Sequence, residues 1–176
     1  GTGSNITYFD GKEIKPGKHG LGYILGDEGS GTYFGKKLLT SYLYETMPVH
    51  LVKAFKQQYN LDKAAVIKQV YENAAPNFYL ASFASFMSEH KSDPFIIDLL
   101  REGFKEFIQS NIKSYPAYQE LTCHFIGSIA YHFQDVLREV CKENNIKTGK
   151  ILKHPIEELN KFILSREAKN AGSVNN

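Results

Sequence analysis

The stretch Leu121-Thr122-Cys123-His124-Phe125-Ile126-Gly127-Ser128 decides the fold class of this 176-residue chain. Its short apolar run, residues 121–126, is typical of a buried strand. Gly127-Ser128 ends that strand, and a helix is predicted from about residue 129 to residue 144. The pattern then predicts one more strand and one more helix, over residues 148–153 and 155–166. Strands and helices that alternate in this way predict an α/β fold.

The sequence before this unit predicts a block of helices. Proline and aspartate are favoured where helices begin, and they mark four starts: Pro48, Asp62, Pro76 and Asp93-Pro94. The expected helices cover residues 33–45, 48–59, 63–73, 76–88 and 95–113. The last has a predicted apolar stripe of Ile97, Leu100, Phe104, Phe107 and Ile108. The order of elements therefore predicts an α/β domain with a central helical insertion over about residues 46–115.

The N-terminal part combines a hairpin with a glycine-dense segment. Residues 5–10 are rich in β-forming side chains, Asp10-Gly11 is a hairpin turn signal, and residues 12–15 are the return strand. The segment from Gly20 to Gly31 is dense in glycine. Its backbone is expected to turn sharply, or to approach another group closely, at several points.

Composition excludes several classes of function. Lys plus Arg is 21 and Asp plus Glu is 19, a balance that argues against a nucleic-acid partner. The two cysteines, Cys123 and Cys141, form no CxxC pair, which argues against a zinc site, an Fe–S cluster and a disulfide scaffold. No apolar run approaches the roughly 20 residues of a membrane span. The first residues show no signal-peptide pattern, so we expect a cytoplasmic location and no membrane partner.

Two short segments have the composition of phosphate or nucleotide sites. Gly1-Thr2-Gly3-Ser4 precedes a predicted strand, and its backbone N–H groups and hydroxyls could surround phosphate oxygens. A tag or a plain turn is the alternative interpretation. Gly127-Ser128 lies between a strand and a helix, where a ring or a phosphate can lie against the backbone. A plain strand–helix turn, with Ser128 as the helix N-cap, is the alternative there.

A third segment, Gly26-Asp27-Glu28-Gly29-Ser30-Gly31, places two carboxylates between glycines ahead of a helix. The alternative is helix capping by acidic residues in the first turn. Capping does not require so many glycines. A carboxylate on a tight loop suits hydrogen bonding to sugar hydroxyls, or metal binding, and this interpretation is favoured.

Taken in order, these stretches resemble the N-acetylglucosamine kinase-like group, also called the BadF/BadG/BcrA/BcrD ATPase type, of the sugar-kinase, actin and heat-shock ATPase superfamily. Residues 1–5 resemble its second phosphate motif, and residues 22–31 resemble its most specific stretch, which contains GDEGS. Ser92-Asp93-Pro94, followed by a long helix, matches the middle region. Residues 125–130 resemble the adenosine motif.

The resemblance implies a ribonuclease-H-like lobe, the second of two, with ATP between the lobes. Residues 1–167 are expected to form this C-terminal lobe and residues 168–176 a polar tail. The N-terminal lobe is expected to be absent from the chain, which opens as if inside a turn, and to be its partner. That lobe carries the catalytic aspartate in the family, so no catalytic residue is assigned here. Loss of a general base typically costs about 10²- to 10⁴-fold in rate.

The resemblance also assigns binding roles, for phosphoryl transfer from ATP to an amino sugar with Mg²⁺ on the phosphates and no protein metal site. The residues implied for ATP are Gly1, Thr2, Gly3, Ser4, Gly127 and Ser128. Those implied for the sugar are Gly3, Ser4, Gly20, Leu21, Gly22 and Asp27. Thr2 is expected to contact phosphate, and Gly3 and Ser4 to lie between phosphate and sugar.

One departure affects the substrate. Leu21 stands where many N-acetylglucosamine kinases have a tryptophan that stacks on the sugar, so N-acetylmuramic acid and glucosamine remain candidates. The Fe–S-dependent dehydratase activators of the superfamily are disfavoured by the positions of Cys123 and Cys141. Two other functions remain open: a non-kinase ATPase that acts on a protein partner through lobe closure, and a catalytically inactive sugar sensor. A homodimer through the helical block is also expected from the resemblance.

Overall fold

The computed structural model describes residues 2–15, 17 and 20–173, and for residues 157 and 168–173 it describes the backbone alone. The N-terminal elements are β1 (Tyr8–Phe9), β2 (Ile14–Lys15) and α1 (Gly22–Leu25). The helical elements that follow are α2 (Gly31–Leu43), α3 (Val49–Tyr59), α4 (Lys63–Tyr71), α5 (Pro76–Ser82), α6 (Ala84–Glu89), α7 (Pro94–Ser110) and a 3₁₀ turn (Ile112–Ser114). The last elements are β3 (Thr122–Ile126), α8 (Ser128–His132), α9 (Gln134–Glu143), β4 (Lys147–Leu152) and α10 (Ile156–Ser173).

The strands form two separate sheets in the part of the chain that is described. β1 and β2 are an antiparallel hairpin that pairs Tyr8 with Lys15. β3 and β4 are parallel, with Thr122 opposite Lys147, and the connection between them contains α8 and α9. The predicted mixed α/β class is therefore confirmed, whereas a ribonuclease-H-like lobe stays a prediction.

Strand β3 is less buried than its sequence predicts. Thr122, His124 and Ile126 are exposed, whereas Cys123 and Phe125 are half-buried. The expectation of a fully buried strand is wrong because only one face of β3 packs against the helices, and side chains alternate between the two faces. The ladder is irregular between Cys123 and Phe125. There the His124 Nδ1 atom accepts a hydrogen bond from the Lys150 backbone N–H at 3.0 Å.

The core is helical and rich in aromatic rings. Phe34, Phe55, Phe83 and Phe86 are fully buried. The Phe55 ring lies 5.6 Å from the Phe83 ring and 5.1 Å from the Phe86 ring, which are favourable spacings for aromatic pairs. These contacts join α3 to α5 and α6, and the abundant phenylalanines are accounted for by packing.

Two predicted helices are divided, because a buried phenylalanine interrupts each. The helix expected over residues 76–88 is divided at Phe83, and the one expected over residues 129–144 is divided at Phe133. Phe83 is 1% exposed and Phe133 is 3% exposed, so tertiary packing of these rings overrides the local helical pattern. The break also leaves α8 only five residues long.

The apolar stripe of α7 is shifted by one residue from its predicted position. Ile96 is fully buried, whereas Ile97 is only half-buried. The buried residues of this helix are Ile96, Leu99, Leu100, Gly103, Phe104 and Ile108. The helix ends at Ser110, earlier than predicted, and a 3₁₀ turn follows. Leu100, Phe104 and Ile108 are confirmed as core residues.

Helix α10 extends to Ser173, beyond the predicted end near Arg166. Several of its apolar side chains are exposed: Ile156, Leu159, Phe162, Ile163 and Leu164. Among the described helices, none is long and apolar enough to cross a membrane.

Candidate functional site

The segment at Thr2 is fixed by hydrogen bonds to the starts of two helices. The Thr2 carbonyl oxygen accepts from the Thr32 backbone N–H at 3.1 Å and from Thr32 Oγ1 at 2.9 Å. The Asn77 side-chain amide Nδ2 donates to Thr2 Oγ1 at 3.0 Å. Thr32 lies in the first turn of α2 and Asn77 in the first turn of α5. The predicted phosphate loop is therefore held where these helices begin, although Gly1 lies outside the described residues.

The Asp27 loop does not cap the helix that follows it. Ser30 is the N-cap of α2, and its side-chain oxygen accepts from the Tyr33 backbone N–H at 3.1 Å. Capping of α2 by Asp27 and Glu28 is therefore wrong, since Ser30 already occupies that position. Asp27 has a φ of 62°, in the left-handed region that non-glycine residues rarely adopt. Such conformations cluster at functional sites.

The carboxylate of Asp27 lies against Gly3. A Cβ atom on Gly3 would lie 2.6 Å from Asp27 Oδ2, so a larger residue there would require the Asp27 carboxylate to shift. Within the described residues, the Asp27 carboxylate accepts no side-chain or backbone hydrogen bond. Its oxygens are available to hydroxyl groups of a ligand.

A small cavity of about 170 Å³ brings most of the predicted sugar-binding residues together. Ser4, Gly20, Leu21 and Asp27 line it. Gly22 does not: it begins α1, with a φ of 72°, and it is exposed. The family resemblance implies Gly22 for the sugar, and its role there stays a prediction.

Sequence reasoning missed Ser110 and Asn111, which complete the wall of this cavity. Asn111 is 4% exposed, and its amide Nδ2 donates to Ser110 Oγ at 3.0 Å. Both lie where α7 ends, far along the chain from Ser4 and Asp27. No local pattern marks them, because their position follows from how α7 packs against α2.

The turn at Gly127 has a backbone that favours glycine. Gly127 is the N-cap of α8 with a φ of 131°, and Ser128 is the first residue of that helix. The alternative of Ser128 as N-cap is therefore wrong by one residue. A Cβ atom on Gly127 would meet nothing within 4 Å. The surface beside this turn is open.

A larger cavity of about 690 Å³ links the two predicted ATP segments. Gly3, Ser4, Gly127 and Ser128 all line it, and Ser4 also lines the small cavity. Ser4 is therefore common to the two cavities, whereas Thr2 lines neither of them. Much of the remaining wall is apolar and comes from Ile6, Phe104, Phe107, Ile112, Phe125 and Ile129.

Burial shifts the pKa of three side chains packed beside the site. Burial raises the pKa of Tyr33 above its ordinary value, and the nearby Glu106 carboxylate adds to the effect. Burial also raises the pKa of both thiols, Cys123 and Cys141. These groups stay neutral near pH 7. Among the residues described, no group of three or more His, Cys, Asp or Glu side chains could hold a metal ion.

Comparison with known proteins finds similarity to solved structures. No family model matches the chain, and no curated protein matches it. A solved structure from Porphyromonas gingivalis, described as a "Putative N-acetylglucosamine Kinase", is 41% identical over 92% of this chain, with a TM-score of 0.87. Over that range the chain has a fold similar to that of this solved structure. It spans 57% of the length of that kinase structure.

Proposed function

We propose that this chain is the C-terminal lobe of an ATP-dependent kinase that phosphorylates an amino sugar of the N-acetylglucosamine type. The observation that carries the proposal is the 41% identity to the P. gingivalis structure over 92% of the chain. The chain spans 57% of that structure, and we assign the activity to a polypeptide that also contains the N-terminal lobe. A cytoplasmic location and a homodimer stay predictions from the family resemblance.

In this proposal the nucleotide and the sugar meet at Gly3 and Ser4. Thr2 contacts the phosphates, Gly127 and Ser128 lie against the adenosine, and Asp27 accepts hydrogen bonds from sugar hydroxyls. Support comes from the contact between Gly3 and Asp27, and from Ser4, which lines both cavities. A phosphate beside Gly3 and a sugar on Asp27 would be neighbours, as in-line transfer requires.

The proposed reaction also uses Mg²⁺ and a general base. Mg²⁺ enters as part of Mg–ATP, and it neutralises charge on the phosphates. We assign the general base to the N-terminal lobe, as the family resemblance implies. The exposed apolar side chains of α10, among them Leu159, Phe162 and Leu164, support a contact with further protein surface. We assign that contact to the N-terminal lobe.

Substrate choice is assigned to Leu21. Its side chain lines the small cavity and is 62% exposed, so it offers an apolar edge without the stacking area of an indole ring. The pocket is therefore expected to accept several amino sugars, with weaker discrimination than a tryptophan would give.

The test uses the longest natural polypeptide that contains this chain. ADP release from Mg–ATP is measured alone and with N-acetylglucosamine, N-acetylmuramic acid or glucosamine. Release that depends on one of these sugars supports the kinase. Release that is indifferent to all of them would indicate a partner-driven ATPase, and sugar binding without ADP release would indicate a sensor.

A further inference from the structure

We propose that Asn77 is a positioning residue that orients the Thr2 hydroxyl toward a phosphate oxygen of the nucleotide. The inference rests on the proposed function, because it takes Thr2 as a phosphate contact. Asn77 lies in the helical block, 75 residues from Thr2 along the chain, and no sequence pattern near it indicates a nucleotide role.

The geometry joins three residues in one arrangement. Asn77 Nδ2 donates to Thr2 Oγ1 at 3.0 Å. The hydroxyl of Thr32 lies 2.9 Å from the Thr2 carbonyl oxygen and 3.1 Å from the Asn77 carbonyl oxygen, so it bridges the two segments. Thr32 is fully buried, which fixes the position of this bridge. Both the backbone and the side chain of Thr2 are therefore held.

The direction of the Asn77 hydrogen bond matters for phosphate binding. A threonine hydroxyl has one hydrogen and two lone pairs, and a phosphate oxygen can only accept. Because Thr2 Oγ1 accepts from Asn77 and makes no other hydrogen bond within the described residues, its hydrogen can donate to the ligand. An aspartate at position 77 would accept instead, would take that hydrogen, and would add a negative charge near the phosphates.

The support for Asn77 is rigid. α2 and α5 pack so closely that a Cβ atom on Gly35 would lie 1.8 Å from the Leu80 carbonyl oxygen. A Cβ atom on Gly31 would lie 3.2 Å from Ala81 Cβ. Thr32 and Asn77 are carried on this tight pair of helices, which is what a preorganised binding group requires.

The experiment compares Asn77→Asp, Asn77→Ala and the charge-matched control Asn73→Asp in the same longest natural polypeptide. Asn73 is exposed, and its Oδ1 accepts from the Ala75 backbone N–H, a bond that aspartate retains. Affinity for a non-hydrolysable Mg–ATP analogue is measured by calorimetry, beside KM for ATP and for the sugar. We expect Asn77→Asp to weaken nucleotide binding by about 10-fold or more and Asn77→Ala by about 3- to 10-fold. The control should change binding less than about 2-fold, and KM for the sugar should stay constant in all three variants.

A double-mutant cycle tests whether Asn77 acts through Thr2. Thr2→Val removes the hydroxyl at nearly constant shape, so adding Asn77→Ala should then cost little more nucleotide affinity. Additive losses would overturn the proposal, as would an Asn77→Asp variant that binds the analogue as well as Asn73→Asp does. If the protein binds the analogue but phosphorylates no sugar, the proposed function fails while the cycle still decides on Asn77. If the wild-type protein binds no Mg–nucleotide, both are overturned.

Discussion

Gly3 and Asp27 are in direct contact, with space between the Gly3 backbone and Asp27 Oδ2 too small for a methyl group. Gly3 belongs to the predicted phosphate segment, and Asp27 belongs to the predicted sugar segment. A chain that folds these two segments together can place a phosphoryl group beside a sugar hydroxyl. The following predictions examine that arrangement and the scaffold that supports it.

Gly3→Ala should lower sugar-dependent activity. The added Cβ would lie 2.6 Å from Asp27 Oδ2, so the carboxylate must shift away from its present position. Displacements of about 1 Å at a reacting centre can cost 100-fold, and we expect kcat/KM to fall by about 10- to 100-fold. Steady-state kinetics check this, with the thermal unfolding midpoint as control, which should hardly change because Gly3 is exposed. Unchanged kinetics would mean that activity does not depend on the contact between Gly3 and Asp27.

Asp27→Asn should weaken binding of the sugar more than binding of the nucleotide. Asparagine keeps the shape and tolerates the left-handed backbone at φ 62°, so the variant isolates the loss of charge. A hydrogen bond to a charged acceptor is worth about 1.5–3 kcal/mol, and kcat/KM for the sugar should fall about 10- to 100-fold. Glu28→Gln changes the neighbouring carboxylate, which also lines the small cavity, and should lower kcat/KM less than Asp27→Asn does. Equal losses in the two variants would argue against a specific role for Asp27.

Local signals in the sequence predicted much of the helical framework. Asp62 and Asp93 were expected to begin helices, and each accepts a hydrogen bond from a backbone N–H in the first turn, at 2.7 Å from Ala65 and 2.9 Å from Phe95. Such caps involve residues two or three apart, so a single sequence contains them. The break at Phe83 and the exposed face of β3 depend on tertiary packing, which local patterns do not encode.

In the candidate site, too, some residues were predicted from the sequence and others depend on tertiary packing. Ser4, Gly20, Leu21 and Asp27 were selected by resemblance, and they line one cavity, although their binding roles stay predictions. Asn111 reaches the same cavity only because α7 ends there. The spacing of a motif does not predict which residues a distant helix contributes. It also does not predict the hydrogen bond from Asn77 to Thr2.

Gly35→Ala should destabilise the fold through a backbone clash. Its Cβ would lie 1.8 Å from the Leu80 carbonyl oxygen, which cannot move without separating α2 from α5. Helix propensity alone would make alanine about 1 kcal/mol more stabilising than glycine at this position. A loss of stability would therefore have to come from the clash. We expect a net loss of about 2–3 kcal/mol in urea unfolding. Gly20→Ala, where a Cβ meets nothing within 4 Å, should stay within about 0.5 kcal/mol.

The hydrogen bond between His50 and Asp93 should make the free energy of unfolding depend on pH. The hydrogen bond from the His50 imidazole, followed by that from the Phe95 backbone N–H, holds the pKa of Asp93 below its ordinary value of 3.8. A carboxyl whose pKa is depressed by folding contributes stability above its unfolded pKa, and that stability is lost as pH falls through the folded pKa. At pH 6, Asp93→Asn should therefore cost about 0.5–1 kcal/mol, a range set by the exposed His50 partner.

The matched control for this pair is Asp62→Asn. Asp62 also caps a helix, through Ala65, but within the described residues no histidine forms a hydrogen bond to it. Asparagine caps helices about as well as aspartate, so this variant should lose only a few tenths of a kcal/mol. Urea midpoints measured from pH 6 down to pH 3 should show the excess cost of Asp93→Asn shrinking below about pH 4, as the carboxylate of the wild-type protein becomes protonated. A cost that is independent of pH would mean that the cap alone, and not the pair with His50, stabilises the start of α7.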